Sequence, residues 1–337
     1  MTNKLNLERM KNSPIFKLDF YKTGHHAQYP QGTEVVYSTF IPRSNKFMPY
    51  ADKAVFFGLQ GFIKSYLMEA MDKWFFTQPR EEVIYEYKFF MEKTLGSTNF
   101  NVDHIAALHD LGYMPLLIKA LPEGTRVPMR VAMFTIENTH PDFFWLTNYV
   151  ESLMSAIIWK TVVSATVSYK YRSEFDKYVD LTGLDAFGVN FQGHDFSYRG
   201  MGGDEAAQLS GAGHLVNFLG TDTIPAIIYL QNYYNADIET ELGSNGLTGA
   251  VKKYGGEFTK ITGYTPAVVG NELVIKDKDG KVIQKLSSHD DVLNGLTDVL
   301  GKKISQDALS GMLNAGVFRN PKEMQEYFLP LTQPPSH

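Results

Sequence analysis

The sequence predicts an α/β protein in three parts: a mixed α+β domain over residues 1–159, an incomplete (β/α) barrel-like region over 160–242, and a C-terminal segment, 243–337, of a hairpin and short helices. Three patterns carry this prediction. Isolated β-rich stretches divided by helical patterns fill the first part. Helices alternating with short apolar strands fill the second, the rhythm of parallel β/α units. A stretch rich in Gly, Ser and Asn, residues 243–256, then leads into the third. At 337 residues, 44% hydrophobic and 20% charged, the chain is long enough for two cores of ordinary size.

In the first part, residues 35–40, 116–120 and 131–136 read as strands, with helical patterns between them. Leu59, Phe62, Ile63, Tyr66, Leu67 and Ala70 keep helical spacing on one face. Pro79 interrupts that pattern before a helix over 81–93, and a third helix is expected over roughly 102–111. From Pro141, suited to a first turn, a long amphipathic helix carries Phe143, Leu146, Val150, Met154 and Ile157.

In the second part a helix over 167–180 leads to a segment at 187–196. Asp204 is a plausible N-cap for the next helix. A strand over 215–218 ends in Gly220-Thr221-Asp222-Thr223, and a helix follows from about 225 to 234. In such units the loops at the C-terminal ends of the strands carry the chemistry. In the third part, residues 272–286 read as a hairpin turning at Asp279-Gly280. Its Lys276, Lys278 and Lys281 alternate with Asp277 and Asp279, as on a solvated edge.

The net charge of −5 and the interspersed signs give no basic field of the kind that nucleic acid or an anionic membrane recruits. The absence of cysteine excludes disulfides, thiolate metal sites and a cysteine nucleophile. Residues 1–11 are polar and mixed in charge, without the apolar run of a signal peptide, and no later stretch is apolar enough to span a bilayer. A cytoplasmic protein with no membrane and no nucleic-acid partner is the expectation.

Four strings carry chemistry. The first is Asp19-Phe20-Tyr21-Lys22 with His26, Gln28-Tyr29-Pro30, Val36-Tyr37-Ser38 and Arg43. The second is Lys119-Ala120 with Pro122-Glu123-Gly124, Phe134-Thr135, Glu137-Asn138-Thr139 and Trp145-Leu146-Thr147-Asn148. The third is His194-Asp195-Phe196-Ser197-Tyr198-Arg199-Gly200. The fourth is His214-Leu215-Val216-Asn217-Phe218 through Gly220-Thr221-Asp222-Thr223. In this order and spacing they resemble the nicotinamide phosphoribosyltransferase family, from about residue 14 to about 240.

The resemblance implies a type II phosphoribosyltransferase fold and a pentosyltransferase of NAD salvage, which joins nicotinamide to phosphoribosyl pyrophosphate. By the family pattern, Phe196 and Arg199 hold the nicotinamide ring. Tyr21 of the partner subunit, beside Asp19, closes the other face, so a homodimer with a shared site is implied. Asp222 would accept from the carboxamide, and Arg43 is a candidate phosphate contact. Mg²⁺ would accompany phosphoribosyl pyrophosphate, and the family couples turnover to ATP through a histidine in a P-x-x-E-H-S segment. Neither that segment nor the family's R-P-D-S-G segment is found in this sequence, and His289, the only histidine between 215 and 336, lacks the surrounding pattern. The catalytic residues are therefore unassigned, and no metal ligand is identified. Besides an active transferase, two readings remain: a homologue that binds nicotinamide or its nucleotide without chemistry, and the N-terminal half of a split enzyme completed by a second chain.

Each of these residues also has a plainer role open to it. Phe196 suits a core, Arg199 a surface ion pair with Asp204 or Glu205, and Asp222 the cap of the helix beginning near Pro225. Tyr21 and Asp19 suit local stabilisation. His25, His26 and His140 are expected to be structural or solvated, and His194 a hydrogen-bonding support to the site. Gly200, Gly202 and Gly203 suit either phosphate approach or a turn.

Overall fold

The computed structural model describes residues 5–183, 188–236, 259–260, 263–269 and 272–286. The chain forms two compact units, Met1–Lys170 and Tyr171–His337.

Two small sheets and a set of helices build the first unit. Strands β1 (Tyr37–Phe40), β5 (Phe134–Asn138) and β3 (Leu116–Ala120) form an antiparallel sheet in the order β1-β5-β3, with Phe40 opposite Phe134 and Leu116 opposite Asn138. β2 (Lys53–Val55) and β4 (Arg126–Pro128) pair separately. β5 is the central strand, and alternation sends Phe134, Ile136 and Asn138 inward. Asn138 meets this burial by bonding with backbone. It accepts from Val36 N at 2.9 Å and donates to Glu34 O and His140 O at 2.8 and 2.9 Å. The strand expected at 131–136 is thus displaced to 134–138. Arg130 has a positive φ of 66°, and Val131 N bonds Pro128 O, so the chain is still turning there.

Around the sheets lie α1 (Leu7–Asn12), α2 (His25–Gln28), α3 (Leu59–Phe62), α4 (Arg80–Leu95), α5 (Asp103–Leu111), α6 (Leu146–Tyr149) and α7 (Glu151–Thr182), the last crossing the boundary between the units. α1 is fastened to α4 by a buried ion pair: Arg9 Nε and Nη2 bond the two Glu86 carboxylate oxygens at 2.8 and 2.7 Å, and Nη2 also reaches Glu82. The helix expected over 59–70 forms, but after α3 it widens into π-helical turns, Ile63–Ala70 and Asp72–Phe76. Its buried residues Phe62, Leu67, Met71 and Phe75 recur more widely than an α-helical stripe. Ile63, Tyr66 and Ala70 consequently reach only half-burial.

The long helix expected from Pro141 is broken. A 3₁₀ turn, Pro141–Phe143, and α6 precede α7, and α7 takes in the separate helix expected at 167–180. Among the described residues no single helix is long and apolar enough to cross a membrane. The bent pair Pro141–Tyr149 and Glu151–Val179 meets that test together, yet Trp145, Leu146, Met154, Ile157 and Ile158 are buried core residues. Thr161 Oγ1 bonds Phe57 O at 2.6 Å across from Gly58, whose φ is 109°; a Cβ there would stand 2.0 Å from that hydroxyl. Only glycine meets both conditions.

In the second unit, β6 (His194–Asp195) and β7 (Gly220–Thr221) pair in parallel, with α8 (Asp204–His214) between them in sequence and α9 (Ile224–Tyr234) after them. The described residues hold this one parallel pair and no closed barrel. Residues 215–218 are not a strand. Leu215, Val216, Asn217 and Phe218 donate back to Gly211, Gly213 and His214, finishing α8 as a turn before β7 begins at Gly220. Gly203, not Asp204, holds the N-cap position of α8, and Asp204 accepts instead from the Tyr198 hydroxyl. The hairpin at 272–286 forms as β9 (Glu272–Lys276) and β10 (Val282–Leu286), with Gly280 at φ 80°. An additional strand, β8 (Thr265–Val269), joins β9 as the edge, a position that tolerates Pro266. Residues 243–256, the helices expected after the hairpin, and His289 lie outside the described residues.

Candidate functional site

β6 and β7 end side by side, and their alternation sorts the motif residues into two sets. Asp195 points inward and is 7% exposed. Its Oδ1 accepts from Ser197 N at 3.0 Å, and its Oδ2 from Thr221 Oγ1 at 3.0 Å and Thr223 Oγ1 at 2.7 Å. Thr221 Oγ1 in turn accepts from Thr223 N, and Asp222 N donates to Asp195 O at 2.9 Å. One carboxylate thus ties the loop after β6 to the loop after β7. Burial by itself would raise the Asp195 pKa, but the bonds from Ser197, Thr223 and Thr221 outweigh it and hold the carboxyl below its ordinary value.

The neighbours of these residues face outward. His194 and Phe196 lie one strand period apart, their rings 4.5 Å from centroid to centroid and tilted by 38°. Phe196 is 68% exposed, a large solvent-facing platform for an aromatic side chain. His194 Nε2 lies 2.9 Å from Asp222 Oδ1. Asp222 caps no helix; Thr223 holds the N-cap position of α9, its side chain bonded to Asp195 and not to the helix. Arg199 follows in the 3₁₀ turn Tyr198–Gly200, exposed and without an ion pair among the described residues, so the alternative pairing with Asp204 or Glu205 does not form. A Cβ at Gly200, Gly202 or Gly203 would meet nothing within 4 Å, so the surface there is open.

A second histidine braces the pair from behind. His214 Nε2 faces both Gly193 O and Gly220 O at 3.1 Å, and its ring stacks on Phe218 at 5.0 Å. Burial lowers its pKa, with Asp195 and the two carbonyls pulling the other way. The backbone must come close here: a Cβ at Gly193 would lie 2.6 Å from the Phe218 ring.

The remaining candidates lie in the first unit. Asp19 shares two bonds with Ser152, its N–H donating to Oγ while its carboxylate accepts from the hydroxyl. Buried Lys22 pairs with Glu151. These contacts hold the 3₁₀ segment Phe20–Gly24 on the start of α7 and leave Tyr21 60% exposed, edge-on to His25. Arg43 lines a cleft of about 1090 Å³ with Tyr37, Phe40, Phe47, Asn148 and Trp159, and forms no ion pair among the described residues. The structure therefore brings together Phe196, His194 and Asp222, with Arg199 in the same loop, and holds Tyr21, Asp19 and Arg43 in the other unit.

Sequence reasoning missed Asp195, Thr221, Thr223 and His214. The available signal was the alternation in His194-Asp195-Phe196 and Thr221-Asp222-Thr223, which on adjacent strands sends Asp195 and two hydroxyls to one side. No group of three or more His, Asp or Glu among the described residues stands close enough to hold a metal ion.

Residues 14–116 match the family model described as nicotinamide phosphoribosyltransferase, N-terminal domain, and residues 191–252 match that of the nicotinate phosphoribosyltransferase (NAPRTase) family. The chain is 50% identical over 228 residues to a nicotinamide phosphoribosyltransferase of Acinetobacter baylyi, covering 66% of this chain and 45% of that protein. It is 31% identical over 230 residues to one of Xanthomonas campestris pv. campestris, again covering 66% and 45%. A third, of Mycoplasma genitalium, is 30% identical over 223 residues, covering 62% and 49%. The chain thus spans about half the length of the curated relatives it matches. A solved structure of human nicotinic acid phosphoribosyltransferase superposes with a TM-score of 0.40 at 14% identity, over 85% of this chain and 48% of that one. The resemblance read from the sequence motifs is borne out by the family models and the curated relatives.

Proposed function

We propose that this chain recognises nicotinamide and serves NAD salvage in the cytoplasm, joining nicotinamide to phosphoribosyl pyrophosphate to give nicotinamide mononucleotide and pyrophosphate. The observation that carries the reading is the open trio at the ends of β6 and β7: an exposed aromatic face, Phe196, beside an exposed carboxylate, Asp222, fixed by His194. Its support is the likeness of residues 14–116 to the nicotinamide phosphoribosyltransferase N-terminal domain and of residues 191–252, which hold this loop pair, to the nicotinate phosphoribosyltransferase family, together with 50% identity over 228 residues to a nicotinamide phosphoribosyltransferase.

A pyridine ring laid on Phe196 gains about 0.5–1.5 kcal/mol of stacking beyond its buried area. Arg199 adds a planar cation to the same loop, suited to the ring's face. Asp222 accepts from the carboxamide NH2 and repels the carboxylate of nicotinate, so one side chain both attracts and excludes. Tyr21, with Asp19 at its base, would close the ring's second face from the partner subunit of a homodimer, and Arg43 would meet a phosphate. In the reaction the ring nitrogen bonds to the ribose C1 as its bond to pyrophosphate breaks. Developing positive charge on the ribose calls for anchored phosphates. Mg²⁺ would arrive bound to the pyrophosphate, and ATP is the family's energy source for turnover.

Calorimetry of the whole chain with nicotinamide and nicotinate, followed by turnover with phosphoribosyl pyrophosphate, Mg²⁺ and ATP, tests the reading. Nicotinamide should bind in preference to nicotinate, and Asp222→Asn should narrow that preference by about tenfold, the equivalent of one charge-assisted bond. An unchanged ratio removes Asp222 from the pocket. Turnover that appears only when a second polypeptide is added would assign the chemistry to a complementary chain.

A further inference from the structure

Asp222 is 61% exposed, and an exposed carboxylate ordinarily turns freely among rotamers. Here it does not stand free. Its backbone N–H is bonded to Asp195 O, and the threonines on either side are fastened to the Asp195 carboxylate. Its Oδ1 meets His194 Nε2 at 2.9 Å, whereas no bond to Oδ2 is found among the described residues. One oxygen is committed and the other is open.

The histidine is confined in its turn. Phe196 covers one side of its ring at 4.5 Å. Gly220, its direct partner in the β6–β7 ladder, also lies against the ring, and a Cβ there would stand 2.5 Å from Nδ1 and 3.3 Å from Cγ and Cε1. The ring rests on a bare α-carbon, and no larger residue at 220 leaves room for it. With Nε2 against a carboxylate, a neutral ring carries its one proton on Nε2 and donates it to Asp222.

We infer that His194 is the positioning residue for carboxamide recognition: by holding Oδ1 it turns Oδ2 of Asp222 toward the amide edge of a ring lying on Phe196, and by preventing the carboxylate from swinging into solvent it enforces the rejection of nicotinate. This rests on the nicotinamide reading of the site and adds to it the residue that sets selectivity without touching the ligand. A freely rotating Asp222 would turn away from an anionic ligand and repel it less. A pinned one cannot.

The test is calorimetry of the whole chain with nicotinamide and with nicotinate, on the wild type and three variants. His194→Phe keeps a flat ring beside Phe196 and Gly220 but removes the donor. His194→Gln keeps an N–H at about the reach of Nε2, and His194→Asn is too short for it. Nicotinamide affinity should fall about tenfold in His194→Phe, with the nicotinamide-to-nicotinate ratio narrowing alongside, and His194→Gln should recover most of both. Should His194→Phe melt early, the contrast between Gln and Asn carries the same test. Wild-type affinity and selectivity in both His194→Phe and His194→Asn would overturn the inference, as would a His194→Gln no better than His194→Asn, which would leave a packing role only. A wild type that binds neither ligand would instead remove the nicotinamide reading itself, and this inference with it.

Discussion

Asp195 shows what a single residue contributes here. Its carboxylate closes three hydrogen bonds that no water-exposed group could replace. Asp195→Ala leaves Ser197 N and two threonine hydroxyls without their acceptor and should cost roughly 2–4 kcal/mol. The three tryptophans, Trp74, Trp145 and Trp159, all lie in the first unit, so fluorescence would not register the loss. Amide hydrogen exchange at Ser197 and Thr223 would, and unchanged protection there would refute the tie. Because the folded pKa is depressed, this contribution is present above the ordinary carboxylate value of 3.8 and disappears as pH falls through the lower folded value. The proximity of Phe196, Arg199 and Asp222 was legible from motif order. Asp195 was not, since an aspartate at the end of a strand reads equally well as a turn residue until the neighbouring strand is known.

Between elements, the contact of α8 with α9 depends on the absence of a side chain. A Cβ at Gly211 would stand 2.7 Å from Ala226 Cβ and 3.0 Å from Asp195 Oδ2. Alanine is the better helix former by about 1 kcal/mol, yet Gly211→Ala should destabilise this unit by about 1–3 kcal/mol, because the clash meets two immobile neighbours. A far-UV circular-dichroism melt that rises for the variant would contradict this. Legibility at this scale followed length and context. Residues 116–120 and 272–286 stand apart from helices and were read with their bounds intact. The apolar run 215–218 was misread because the buried end of a helix and a short buried strand call for the same residues. The π-helical turns after Phe62 were invisible, since Leu59, Phe62, Ile63 and Tyr66 already satisfy the ordinary helical period.

For the molecule as a whole, acid stability is the property that burial of histidine governs. His104 stacks on His26 at 4.6 Å, its Nε2 is buried without a partner, and burial, with some repulsion from His26, pushes its pKa down to about 3. Burial lowers His26 as well. His104 is thus held neutral in the folded state. The stability this provides is complete above the unfolded value of 6.5 and is lost as pH falls from there toward about 3. Urea unfolding of the first unit, followed by tryptophan fluorescence, should show a midpoint that drops between pH 7 and pH 4. His104→Phe keeps the stacked ring and should flatten that slope; an equally steep slope would exclude the pair as its source. Composition announced nothing of this, since a histidine in an amphipathic helix reads as surface until its packing partner is in place.

The inward fastening of β6 to β7 has a consequence for how this surface can change. Asp195, Thr221 and Thr223 secure the two strand ends among themselves, so the socket keeps its shape whatever projects from it. Positions 196 and 199 are therefore interchangeable fittings. A library randomised there, with the three fasteners retained, should yield mostly folded chains and a range of ligand preferences, while the same diversity placed on the fasteners should yield few soluble clones.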